Sequence, residues 1–215
     1  ITAGHARKAG QSREELFGTN AAIVAQCARD AAKYAPSSII VVVTNPLDMM
    51  VYAALQASGF AKERVIGMAG ELDGARLKFE LARASGKEIS SMRSAIVGPH
   101  SEEMIALKNE LGFEISDEIF ERAVQNTKRA GAQIGELLGT SAYLAPAAGI
   151  VKIIKYILFD TCGTLACCVA DRSGVPLGRF VSVGKMGAIE RNFAYSGEFY
   201  EQLERMRASV AGLKF

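Results

Sequence analysis

The apolar positions of this chain change their period along its length. Ser38-Ile39-Ile40-Val41-Val42-Val43 is a near-continuous β-branched run, which predicts a parallel strand covered on both faces. Thr44-Asn45-Pro46-Leu47-Asp48 ends it, with Asn45 as the cap and Pro46 as the first residue of a helix through about Ala57. Upstream, Ile1-Thr2-Ala3-Gly4 reads as a strand end running into a glycine turn. Ser12 and Glu15 form a capping box for a helix whose stripe is Leu16, Ile23, Val24, Cys27 and Ala31. Asn20 falls within that stripe, so its amide needs a partner. Residues 65–68 predict a strand, 71–85 a helix closed by Gly86, and 94–97 a strand ending at Gly98-Pro99. Helical spacing returns over 116–138 and 142–158. Residues 164–169 and 179–183 predict strands joined as a hairpin through Asp171-Arg172-Ser173-Gly174, and 198–211 a terminal helix. Strand alternating with helix thus gives way to antiparallel strands and long helices, which divides the chain into two lobes near 67–70.

Composition narrows the function classes. A chain of 215 residues, 49% hydrophobic and 22% charged, can bury a sizeable core. The net charge of +2, with Lys and Arg scattered among Asp and Glu, gives no reason to expect nucleic acid or an anionic membrane as partner. The most apolar long stretch, 142–159, is interrupted by Pro146, Lys152 and Lys155, so a buried helix is expected there rather than a membrane span. Four cysteines, with Cys167 and Cys168 adjacent in an apolar run, read as reduced core residues; with no secretory signal, a cytoplasmic location is expected. No two of the 21 glycines lie two positions apart, so the Gly-x-Gly-x-x-Gly dinucleotide turn is missing. A Walker loop, His-Glu-x-x-His and Cys-x-x-Cys are missing too, and no metal is expected. Ser141, His100 and Asp73 could be drawn as a hydrolytic triad, but no Gly-x-Ser-x-Gly elbow supports it.

The candidate chemistry centres on His100, since the chain holds only two histidines and imidazole is the side chain that titrates near neutral pH. It stands at a predicted strand end; read alone, it is a turn histidine in water. Asp73 and Arg76 share a helical face, as do Glu80 and Arg83, and by themselves they read as a solvated ion-pair stripe. Arg7 and Arg13 flank a glycine-containing loop at a helix start, where the dipole favours anions; by themselves they read as solvated loop cations. Asn45 caps a helix, or touches a ligand at the carboxyl end of a parallel strand.

In order and spacing these motifs resemble the malate and lactate dehydrogenase family. The resemblance runs through Thr2-Ala3-Gly4, Arg7-Lys8-Ala9-Gly10-Gln11-Ser12-Arg13, Asn20, Val43-Thr44-Asn45-Pro46-Leu47-Asp48, Val65-Ile66-Gly67-Met68-Ala69-Gly70, Leu72-Asp73-Gly74-Ala75-Arg76, His100 and Gly139-Thr140-Ser141-Ala142-Tyr143. It implies an α/β fold: the second half of a Rossmann-type parallel sheet plus an α+β substrate domain. Residues 1–68 would be a partial dinucleotide-binding domain lacking its N-terminal part, with the glycine turn and ribose-binding acid, and 69–215 the substrate domain. A chain so shortened is expected to bind the cofactor poorly.

What the resemblance implies about chemistry is specific. His100 would be the base that takes the hydroxyl proton while a hydride passes to NAD, with Asp73 fixing its tautomer. Arg76 would grip the C1 carboxylate, Arg13 polarise the C2 carbonyl, and Arg7, where lactate enzymes carry Gln, hold the second carboxylate of malate or oxaloacetate. Asn45 and Ser141 would complete the substrate pocket, and Thr2, Ala3, Gly4, Asn20, Val43, Thr44 and Asn45 would contact the nicotinamide half of NAD. A homodimer or homotetramer is implied. Lactate or another 2-hydroxy acid as substrate, and a catalytically silent relative serving as an oligomer partner, are the alternatives. Around the base the family usually has Gly-Gly-His-Gly-Asp, whereas this chain has Gly98-Pro99-His100-Ser101-Glu102.

Overall fold

A computed structural model describes residues 1–5 and 13–215, apart from the side chains of 13–15. The capping box at Ser12 and Glu15, the whole of Arg7 and the side chain of Arg13 therefore lie outside the described residues. The main elements are α1 (Arg13–Tyr34), β1 (Ile40–Val42), α2 (Leu47–Ser58), β2 (Val65–Gly67), α3 (Gly70–Ser85), β3 (Ile96–Val97) and β4 (Ile105–Ala106). They continue with α4 (Asp117–Leu138), α5 (Leu144–Phe159), β5 (Gly163–Ala170), β6 (Pro176–Gly184), β7 (Gly187–Glu190) and α6 (Gly197–Val210).

A five-stranded sheet of order β1-β2-β5-β6-β7 carries the molecule. β1 and β2 run parallel, Ile40 beside Val65 and Val42 beside Gly67. The opening residues lie along the other side of β1: the Ile1 amino group donates to the Val41 carbonyl, and Val43 N–H donates to the Ile1 carbonyl at 2.9 Å. This is the slanted pattern of a parallel pair, so β1 has a neighbour on each side, as its β-branched run predicted. β2 meets β5 antiparallel at Gly67 and Cys168, and β5 and β6 form the expected hairpin, longer than its apolar core suggested. The sheet thereby runs through the region where composition changes. Strands β4 and β7, of two and four residues, are too short to show a period and were not anticipated.

α1 and α2 cover one face of β1 and β2 around Val24, Val42, Met50 and Val51. The other face of the sheet packs Ile66, Leu165 and Val181 against Ile153 of α5. β3, β6 and α6 enclose Val97, Leu177 and Phe199, and α3 packs on α4 through Leu77, Leu81 and Ala123.

Three expectations are corrected. Asn45 does not cap α2; Pro46 holds the cap position in an extended conformation (φ −70°, ψ 119°), so the helix starts at Leu47. The 142–159 stretch is a helix but not a buried one: only Gly149 and Ile153 are buried, while Leu144, Val151, Leu158 and Phe159 are exposed. An apolar helix laid on a sheet can cover one face only. Cys167 and Cys168 are core thiols, but Cys162 is exposed in the turn before β5. Among the described residues no helix is long and apolar enough to cross a membrane.

Candidate active site

α3 starts with its backbone pressed onto β5. A Cβ on Gly70 would lie 2.9 Å from the Ala166 carbonyl oxygen, and this close approach carries the first turn into the interior. Asp73, one turn in, is only 1% exposed. Its Oδ2 sits 2.6 Å from His100 Nδ1, and its Oδ1 accepts from Arg76 Nη1 at 3.4 Å. The Asp73 and Arg76 pair is therefore not a solvated stripe, whereas Glu80 and Arg83, at the same spacing and 2.7 Å apart, lie at the surface as expected. Arg76 keeps its guanidinium largely buried, and its Nε has no partner.

The His100 loop is tied at two points. Gly98, with φ +85°, exchanges two hydrogen bonds with Gly178 of β6, at 2.8 and 3.0 Å. Two residues later, His100 N–H donates to Asp48 Oδ2 at 2.9 Å. Pro99 between them offers no N–H, and its carbonyl accepts from Ser101 N–H at 2.9 Å, so proline leaves no bond unmade. Because an ionised carboxylate can only accept, His100 Nδ1–H donates to Asp73, which leaves Nε2 to exchange a proton. Among the described residues no side chain hydrogen-bonds Nε2.

Burial works to lower the His100 pKa, but the charge and hydrogen bond of Asp73, with Asp48 behind it, outweigh burial and the opposing Arg76 and hold it above its ordinary 6.5. Burial pushes the Asp48 carboxyl up, against the His100 N–H and the neighbouring Cys168 thiol. Burial, with Asp48 alongside, likewise keeps Cys168 a thiol.

Beside this cluster, the carboxyl ends of the opening segment and β1 are laced together. Asn20, fully buried, accepts from His5 N–H at 2.7 Å and donates to the carbonyls of His5 and Asn45 at 3.1 and 2.7 Å. Thr44 Oγ1 donates to the Ala3 carbonyl at 2.8 Å. Thr2, Ala3, Gly4 and Asn45 are exposed along this edge, and Val43 is half-buried. A side chain at Gly4 would strike Thr44 Cγ2 at 2.5 Å and Asn20 Oδ1 at 3.0 Å, so only glycine lets this turn pack so close to them. Ser141 is exposed in the loop between α4 and α5, and no hydrogen bond joins it to the His100 cluster among the described residues. Sequence reasoning gives Asp48 only as the end of the Val43 to Asp48 motif, with no role of its own. The signal that could have singled it out is that it is the sole charge in the apolar segment LDMMVYAALQAS.

The geometry brings together a proton-exchanging imidazole backed by a carboxylate, a buried guanidinium, and an open backbone edge at the ends of parallel strands, where α/β sheets bind ligands. Residues 1–67 match the family model described as lactate/malate dehydrogenase, NAD binding domain, and residues 70–190 the one described as lactate/malate dehydrogenase, alpha/beta C-terminal domain. A malate dehydrogenase of Nitratiruptor sp. is 42% identical over 202 residues, 88% of this chain and 64% of that protein. The structure of malate dehydrogenase from Aeropyrum pernix superposes with TM-score 0.91 at 30% identity, covering 97% of this chain and 73% of the other. Lactate dehydrogenase from Cryptosporidium parvum, complexed with lactic acid and nicotinamide adenine dinucleotide, gives 0.86 at 27% identity over 98% and 72%. The chain spans between about half and two thirds of the length of the curated relatives it matches. With both family models aligned in order on one continuous fold, the chain belongs to the lactate/malate dehydrogenase family.

Proposed function

We propose that this chain carries the substrate-handling machinery of an NAD-dependent malate dehydrogenase, which interconverts (S)-malate and oxaloacetate. The observation that carries the reading is the 2.6 Å contact of His100 Nδ1 with the buried Asp73 carboxylate, which leaves Nε2 free. The family models, and relatives named malate dehydrogenase, support it. On this reading residues 1–68 belong to the nucleotide domain and 69–215 to the substrate domain.

The residues present fit the cofactor's nicotinamide end. The exposed edge of Thr2, Ala3, Gly4 and Asn45, drawn close to Thr44 and Asn20 by the missing side chain at Gly4, lets a flat ring lie against backbone. Val43 and Thr44 support that edge, and Asn20, its amide fully used on backbone, holds it rather than reaching out. When bound, NAD takes up or returns the hydride at C2 of the substrate. His100 Nε2 accepts the hydroxyl proton of malate, and the proton returns to oxygen on reduction. Asp73 balances the imidazolium so formed. Arg76 holds the C1 carboxylate, with Asn45 and Ser141 completing the pocket. Arg13 stabilises the charge that develops on the C2 oxygen, worth about 3 kcal/mol for a donor of this kind. Arg7 pairs with the second carboxylate.

The test is NADH oxidation by the purified protein with oxaloacetate and with pyruvate. Oxaloacetate should be strongly preferred, and Arg7→Gln should lower its kcat/KM by on the order of 100-fold while sparing pyruvate, since a buried carboxylate loses its partner. Equal turnover of the two acids, unmoved by Arg7→Gln, would overturn the assignment of malate. We also infer assembly with copies of itself, as a homodimer or homotetramer, supported by the exposed Leu144, Val151, Leu158 and Phe159 of α5. Sedimentation of a monomer throughout the micromolar range would refute it.

A further inference from the structure

Asp48 stands in the first turn of an otherwise uncharged helix, 7% exposed, and forms no ion pair with any described Lys or Arg. Its Oδ2 takes the His100 N–H across 52 positions of sequence, while Oδ1 is buried without a hydrogen-bond partner of its own among nitrogen and oxygen atoms. A buried carboxylate without a cation is costly, and packing does not explain it, because a leucine or methionine would suit the same apolar helix face. What the carboxylate does is hold one peptide plane. The Gly98 and Gly178 bridge fixes the loop on one side of Pro99, and Asp48 fixes it on the other, so the direction in which the imidazole leaves the backbone is set.

We propose that Asp48 is a positioning residue of the proton relay: by holding the His100 N–H it aims the ring at Asp73. A second role follows from its carboxylate, which favours the imidazolium. This deepens the reading of His100 as the proton carrier and rests on it. The groups around the imidazole come from several elements. Asp48 on α2 and Asp73 on α3 favour the imidazolium, and Arg76 on α3 opposes it. Cys168 on β5 lies against Asp48, the thiol staying neutral there, and Arg179 on β6 acts on that thiol.

Two variants separate the two roles. Asp48→Asn keeps an acceptor for the His100 N–H but removes the charge, and Asp48→Ala removes both. The chain has only two histidines, so proton NMR of the imidazoles, assigned with a His5→Gln variant, follows His100 directly in the intact protein. In Asp48→Asn, His100 should titrate at lower pH than in the parent, kcat at the pH optimum should stay within about threefold, and the acid limb of the rate profile should move with the titration. In Asp48→Ala, kcat should fall on the order of 10- to 100-fold with little change in KM, as expected of a misaimed base. An unchanged His100 titration in Asp48→Asn, or parental kcat in Asp48→Ala, overturns the proposal. Should Asp48→Ala fail to fold, the Asp48→Asn titration decides alone. The NMR readout needs no substrate, so a protein that reduces no 2-oxo acid at all would sink the malate assignment and leave the effect of Asp48 on His100 still measurable.

Discussion

At His100, burial and charge pull in opposite directions. Desolvation favours the neutral ring, yet the Asp73 carboxylate at 2.6 Å wins, and the pKa in the folded protein lies above 6.5. Because the folded value is raised, the stabilisation from this pair is complete below the unfolded pKa and is lost as pH rises through the folded one. On the malate dehydrogenase reading proposed above, catalysis would follow the same titration: malate oxidation would need neutral Nε2 and speed up as pH rises through that pKa, while oxaloacetate reduction would need the imidazolium and slow over the same interval. Asp73→Asn removes the dominant opposing charge, so both limbs should move to lower pH and kcat should drop about 10²- to 10⁴-fold. Parallel pH–rate profiles of the two proteins check this, and limbs that stay in place would show that Asp73 does not govern the ring. Pro99 disturbs nothing in this arrangement, since the flanking bonds fall to Gly98 and His100.

Among the elements, the contact of the His100 loop with β6 leaves no room for a side chain. A Cβ added to Gly178 would sit 2.4 Å from the Gly98 carbonyl oxygen, which is backbone and cannot rotate away. Gly178→Ala should therefore cost about 1–3 kcal/mol of stability, read as a lower midpoint in a urea titration, and should also reduce activity by displacing the loop. Gly197, at the start of α6, has nothing within 4 Å of such a Cβ, so Gly197→Ala should be neutral or stabilising by up to about 1 kcal/mol. Equal losses at the two sites would mean that helix and strand backbone rather than this contact set the cost. Most elements were legible from their apolar period, α3 with its Gly86 cap and the β5 and β6 hairpin best of all. The start of α2 was not, because Pro46 fits either a first helical position or an extended cap, and only its ψ of 119° distinguishes them.

Over the whole molecule, the continuous sheet is the organising fact. The stretches matching the two family models, 1–67 and 70–190, share it through the pairing of β2 with β5. Unfolding one part would strip the other of a sheet neighbour and of the apolar surface that Ile66 shares with Leu165 and Val181. Calorimetry should accordingly show one cooperative transition, and two resolved peaks would mean that the β2 and β5 contact couples the halves only weakly.

Reading along the chain suffices for the alternation of elements, the motif order that resembles the dehydrogenase family, and the identities of His100, Asp73 and Arg76, because periodicity and residue chemistry are written locally. It left open whether Asp73 and Arg76 were a solvated stripe, since spacing of three along a helix is the same for Glu80 and Arg83 at the surface. The fold settles the question by burying α3 against β5 and returning the β3 loop to meet it. It alone brought Asp48 to the His100 backbone, for a bond between residues so far apart in the chain leaves no local trace beyond one charge in an apolar helix.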